Sequence, residues 1–176
     1  EAYQLASDVM TFLLGPATVA LAVPLYKNRF IIKKYWRAAG LGLAVGALST
    51  IISAVLILKL FQVPNDFLVA MSAKSVTVPI ALEIIAPFNG NAPLTTAFIV
   101  FTGTMGGVLG PWMMTKLGIL NPIARGLCLG TIAHGQGTAI ATMEGEMQGA
   151  VAGAAMGVTA IFTSFIAPIL IPLFLN

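Results

Sequence analysis

The chain has 176 residues, of which 58% are hydrophobic and only 9% charged, with a mean hydropathy of +0.95. A soluble domain carries about 25% charged residues, so this composition excludes a water-soluble fold and describes an integral membrane protein. The formal charge of +3 is no nucleic-acid signature, because Lys27, Arg29, Lys33, Lys34 and Arg37, five of the nine basic residues, fall in one connector.

About 20 apolar residues cross a hydrocarbon core, and four stretches reach that length: Val9–Tyr26, Ala38–Leu60, Leu94–Thr115 and Ala150–Phe174. The first contains Gly15-Pro16 and the third Gly110-Pro111, both within a Leu-Gly-Pro triplet. Proline lacks an N–H and clashes with the preceding turn, so each triplet is expected to kink or end its helix. Gly149, Gly153 and Gly157 recur every fourth residue along the last span, and Gly42/Gly46 and Gly103/Gly107 repeat the interval. Small residues at that spacing let helices approach closely in lipid.

Between the spans lie two segments, Phe67–Phe88 and Pro122–Met143, that are apolar at their ends and polar in the middle. Their centres correspond. Ala73-Lys74-Ser75-Val76-Thr77 and Ala133-His134-Gly135-Gln136-Gly137-Thr138 each open on Ala then a base and reach a Thr. A Glu follows that Thr by six residues in each, at Glu83 and Glu144. Facing lipid, such groups cost several kcal/mol each, so they must face protein or a cavity. Each segment either crosses as a broken helix or returns as a re-entrant hairpin. The Lys27–Arg37 connector reads as cytoplasmic. Hairpins then put Lys116 and Arg125 on that same side, whereas broken spans do not. The expected fold is all-α and polytopic: about four spanning helices plus two broken or re-entrant segments. Residues 1–176 form a single transmembrane domain, with repeat units over 38–85 and 94–145. Hairpins make those units inverted, an arrangement from which secondary transporters build a midplane site.

The candidate substrate-binding residues follow from that arrangement. Lys74 can balance an anionic substrate, or snorkel to the interface. His134 can hydrogen-bond or take a proton near neutral pH. Gly135 and Gly137 allow close backbone approach, while Ser75, Thr77, Gln136 and Thr138 offer neutral hydrogen bonds. Pro79 suits the start of a half-helix whose N–H groups and dipole attract a carboxylate. Glu83 and Glu144 are candidates for carrying a coupled proton if buried, or are solvated ends at the headgroups. Arg125 caps a segment at the cytoplasmic surface or meets anions in a vestibule. One cysteine, Cys128, and one histidine provide no disulfide, metal set or hydrolytic triad, and no phosphate-binding loop is present, so neither a cofactor nor an enzymatic reaction is expected.

Leu14-Gly15-Pro16-Ala17-Thr18-Val19-Ala20-Leu21-Ala22-Val23-Pro24-Leu25-Tyr26 resembles the opening signature of the LrgB/CidB membrane protein family. Lys74-Ser75-Val76-Thr77-Val78-Pro79-Ile80-Ala81 resembles its central motif, and Asn121-Pro122-Ile123-Ala124-Arg125-Gly126 and Ala133–Thr138 its later ones. The similarity runs from about Phe12 to the C-terminus. It implies further hydrophobic segments before this stretch and a multi-pass protein of the cell inner membrane. Two rival functions come with it. Some members are antiholin-like, paired with a small LrgA/CidA membrane partner and tied to murein hydrolase export and lysis. Others carry small monocarboxylates, pyruvate in some bacteria and glycolate/glycerate in plastids, where both halves are fused. Matched polar breaks with a Lys, a His and hydroxyls suit a carrier better than a pore. The expectation is a monocarboxylate transporter, working with an LrgA/CidA-type partner and packed through its glycine helices as a homodimer or higher oligomer.

Overall fold

The computed structural model describes Tyr26 and residues 29–175, and its regular elements are all helical. Val9–Leu25, with Gly15 and Pro16, lies outside the described residues. Helix α1 spans Arg29–Leu60, α2 Asn65–Ser72, α3 Val78–Ile85, α4 Ala92–Lys116, α5 Pro122–Glu144 and α6 Glu146–Leu175; a 3-10 turn, Ala86–Phe88, follows α3. Helices α1, α4 and α6 are long and apolar enough to cross a membrane. The first starts earlier than its apolar stretch because nothing between Arg29 and Ala38 breaks a helix, and Lys and Arg are good helix formers. Asn91 and Asn121 set the starts of α4 and α5. Each lends its side-chain oxygen to the first free N–H groups, Asn91 to Leu94 at 3.0 Å and Asn121 to Ile123 and Ala124 at 2.9 and 3.2 Å.

Of the two outcomes expected at the Gly110-Pro111 triplet, a kink or an end, the end does not occur: helix α4 continues through both residues to Lys116. The proline forfeits one backbone bond, and the carbonyl of Pro111 itself is well used. It accepts from Thr115 Oγ1 at 2.8 Å and from Arg125 at 3.2 Å.

Helix α5 turns back on itself at His134, whose backbone is non-helical (φ 39°, ψ −122°). Its two arms, 122–133 and 135–144, can be followed along α6. A methyl group added at Gly126 would meet Gln148, and one at Gly130 would meet Ala152, so the first arm runs parallel to α6. One added at Gly149 would meet Thr142, and Thr138 Oγ1 lies 3.9 Å from Met156 Sδ, so the second arm runs antiparallel. The arms are therefore antiparallel to each other. Arg125 and Glu144 confirm it by bonding directly; a straight helix would hold residues 19 positions apart about 28 Å from one another.

The first polar segment also returns to the end it left. Its tip at 73–77 meets Thr50, ten residues before the end of α1 at Leu60, and Thr102, ten residues after the start of α4 at Ala92. The Phe67 ring lies edge-on to Phe98, 5.9 Å away, so α2 descends beside the first part of α4. The chain must climb back through α3 to reach Asn91. Each hairpin has its own apolar core on the same two helices. Val69, Ala73, Val76, Ala81 and Ile85 pack with Ile99 of α4 and Ala160 and Ile171 of α6. Leu129 and Ala141 pack with Met114 of α4 and Ala152 of α6. The hairpins thus occupy opposite ends of the α4–α6 pair.

Candidate functional site

Ten residues of helix are about 15 Å long, half of a hydrocarbon core about 30 Å thick. The tip of the first hairpin, that distance from the ends of α1 and α4, lies near mid-membrane. Lys74 is there, 9% exposed, its ammonium donating to Ser75 Oγ at 3.1 Å. The buried Ser75 hydroxyl lies 3.5 Å from Thr50 Oγ1 on α1, and the Lys74 carbonyl lies 3.5 Å from Thr102 Oγ1 on α4. No carboxylate pairs with Lys74 among the described residues. Thr77 is half-buried and extended (φ −68°, ψ 148°), the residue from which α3 starts, with Pro79 in its first turn.

The second tip is one residue, His134, 5% exposed. Its ring lies against Gly103, where an added Cβ would come within 2.8 Å of Cε1. A side chain at 103 would push the tip off α4, which is what the glycine there prevents. The Ile99 backbone is within reach of the ring, while Nε2 is buried with no hydrogen-bond partner. The two tips therefore rest on adjacent residues of one helix, Lys74 at Thr102 and His134 at Gly103.

Two cavities flank this meeting point, and Lys74 lines both. One, about 270 Å³, extends along α1 from Thr50 and Ser53 to Leu58, toward the end where α1 finishes. The other, about 420 Å³, extends along α4 from Thr102 past Gly106 and Met113 to Leu117, toward the opposite end, with Ala133 in its wall.

The family model described as the LrgB-like family matches residues 1–173. The chain belongs to the LrgB-like family. It is 38% identical over 171 residues to the uncharacterized protein YwbG of Bacillus subtilis (strain 168), covering 97% of this chain and 76% of that one. It is 34% identical over 174 residues to the uncharacterized protein YxaC of the same organism, covering 99% and 76%. No solved structure matches it.

Within this LrgB-like chain the tips gather Lys74, Ser75 and His134, with Thr77 beside them, while other expected ligands lie elsewhere. Gly135 and Gln136 are on the exposed side of α5, where Gln136 Oε1 accepts from Thr104 at 3.4 Å. Thr138 is buried, but its hydroxyl donates to the His134 carbonyl at 2.8 Å, and Gly137 packs against Leu129 of the opposite arm. Glu83 is exposed on α3. Arg125 and Glu144 close the open end of the second hairpin, away from the tips. Two bonds of 2.7 and 2.5 Å join them, and Arg125 also donates to Thr115 and to the Ile119 carbonyl. Sequence reading missed Thr50 and Thr102, and also Thr159 and Thr163 on α6. Most helical Ser and Thr here donate to their own helix, as Thr131 does to Leu127 and Thr142 to Thr138. The hydroxyls of Thr159 and Thr163 are buried and make no such bond. Continuing the registers of the two α5 arms along α6 brings His134 level with residues 156–160, so Thr159 is at the depth of the tips. Their four-residue spacing in an apolar helix was the only signal, and it also fits ordinary packing.

Proposed function

We propose that this chain is the core of a secondary carrier for small monocarboxylates of the pyruvate and glycolate/glycerate type. The observation that carries the reading is Lys74: a buried base without a carboxylate partner among the described residues, at the meeting of two hairpin tips, lining a cavity toward each end of the described structure. A cation kept at mid-membrane needs a counter-charge, and an arriving carboxylate provides it. The N-terminus of α3, beginning beside the same tip, adds its dipole. Ser75 is beside Lys74 for a neighbouring oxygen. Thr50 and Thr102, which donate to the Ala47 and Phe98 carbonyls of their own helices, keep lone pairs to accept from a substrate hydroxyl. If His134 keeps its Nδ1 proton toward Ile99, Nε2 is an acceptor matched to a substrate hydroxyl; protonated, it donates to a keto oxygen.

The two units, α1 with the first hairpin and α4 with the second, form an inverted repeat whose tips meet end to end, and α6 braces both. Rocking of the hairpins against α4 and α6 exposes Lys74 to one cavity and then the other. Glu83, on the wall of a cavity of about 400 Å³ with Ser164 and Pro168, is the coupling carboxylate, since Glu144 is held by Arg125. The protein acts in the cell inner membrane with the basic end of α1 inside, as a homo-oligomer with an LrgA/CidA-type partner.

The test is flux of radiolabelled pyruvate and glycolate into liposomes holding the full-length protein, with and without that partner. Saturable uptake is expected, falling roughly ten- to hundredfold in Lys74→Ala, the range for a hydrogen bond to a charged group, and falling in His134→Ala as well. Leakage of unrelated dyes without saturable uptake would instead establish the antiholin-like pore reading.

A further inference from the structure

The basic end of α1 adjoins a cavity that the transport reading does not use. It measures about 240 Å³ and lies between α1, the first arm of α5 and the first half of α6, walled by Trp36, Gly40, Leu43, Leu127, Val151 and Val158. The lining is apolar. An added Cβ at Gly40 would meet nothing within 4 Å, so the glycine leaves its side of the cavity open. Lys33, Trp36, Arg37, Gly40 and Leu43 follow the three- and four-residue spacing of one helical stripe, so Lys33 and Arg37 stand two turns and one turn before Gly40 beside the cavity. Lys34 lies off that stripe and meets the cavity through Tyr35 in its wall. Lys33, Lys34 and Arg37 are exposed. Aromatic rings at the mouth steady two of them: Lys34 Nζ is 5.6 Å from the Tyr35 ring and Arg37 Cζ 5.6 Å from the Trp36 ring.

An apolar slot beneath a cluster of bases, with Tyr and Trp at the boundary, combines the two demands of an anionic phospholipid. Bases at the membrane surface draw its phosphate, and aromatic residues mark the depth at which that phosphate sits. A zwitterionic lipid satisfies the slot but not the bases; a free phosphate satisfies the bases but not the slot. We infer that this cavity binds one acyl chain of an anionic phospholipid whose headgroup rests on Lys33, Lys34 and Arg37.

The test uses the full-length protein in detergent, offered phosphatidylglycerol or phosphatidylcholine of matched chains, with retained lipid read by native mass spectrometry. Phosphatidylglycerol is expected to be retained in preference to phosphatidylcholine, and the preference to weaken with added salt. Retention is expected to fall roughly fivefold for each base neutralised in K33Q, K34Q and R37Q. Gly40→Leu fills the slot without a backbone clash and is expected to abolish retention with the bases intact. Val158→Phe fills it from α6 and serves as the second variant if Gly40→Leu does not fold. Equal retention of both lipids overturns the inference. So does undiminished retention in a folded slot-filling variant, or displacement of the lipid by glycerol 3-phosphate at equal concentration.

Discussion

The first hairpin breaks over five residues, 73–77, whereas the second breaks at His134 alone. The difference continues to their open ends. In the second, Arg125 and Glu144 clasp the two arms and Arg125 also holds the end of α4 through Thr115 and two carbonyls. In the first, the corresponding acid, Glu83, is exposed and has no ion-pair partner among the described residues. The arms of the second are seated so closely that a methyl group at Gly130 would collide with the Ala152 carbonyl on α6. Both carry a buried charge, but Arg125 of the second is paired with Glu144 while Lys74 of the first has no carboxylate partner among the described residues, and the first has the longer irregular stretch. The second hairpin is tied at both its ends by polar and close backbone contacts, whereas the first is held at its open end, among the described residues, by apolar packing alone. Mobile functional elements are drawn from the less tightly bonded parts of a structure.

The largest test of that contrast is Arg125→Ala. It strands a largely buried carboxylate and opens the base of the second hairpin, with a loss of about 3 kcal/mol or more expected, read as a lower thermal midpoint in detergent. Arg125→Lys is expected to recover only part of it, because an ammonium lacks the fork that bonds Glu144 and the carbonyls together. A change no larger than that of a surface substitution would show that the clasp does not distinguish the hairpins.

His134→Gly acts in the other direction. A non-glycine residue at φ 39° is strained by about 1 kcal/mol or more, and glycine relieves it. Stability is expected to rise by about 1 kcal/mol while substrate flux falls, since Nε2 is removed from the tip. A loss of stability instead would mean that the ring's packing against Gly103 outweighs the strain, making His134 chiefly a structural wedge.

Much of this architecture was legible in the residues. Spans of uninterrupted apolar sequence became α1, α4 and α6, and the polar centres at Lys74 and His134 became the two tips. The distribution of Lys116 and Arg125 favoured hairpins over broken spans, and in the structure those residues share an end with the basic start of α1. What stayed hidden depended on distance in space. Arg125 and Glu144 bond only because the chain reverses between them, so a linear reading assigned each a separate task. Thr50 and Thr102 tuck onto their own helices like most threonines here, Thr159 looks the same in sequence, and only register across helices brings these three to the depth of the tips. Pro111 does not end α4 because a single proline costs a helix one backbone bond, and the Pro111 carbonyl is bonded by Thr115 and Arg125.

The smallest effect on stability is expected at Glu83. It is exposed on the looser hairpin, so Glu83→Gln is expected to shift unfolding by less than about 0.5 kcal/mol. Its value lies in separating binding from coupling. If Glu83 carries the proton, counterflow exchange without a pH gradient is unchanged in the variant, while uptake driven by an imposed gradient is lost. If gradient-driven uptake persists, Glu83 has no part in coupling, and Glu144 is already engaged by Arg125 at the far end of the other hairpin. Among the described residues the titratable groups left at the hairpin tips are then Lys74 and His134, and the proton would travel on the same residues proposed to hold the carboxylate.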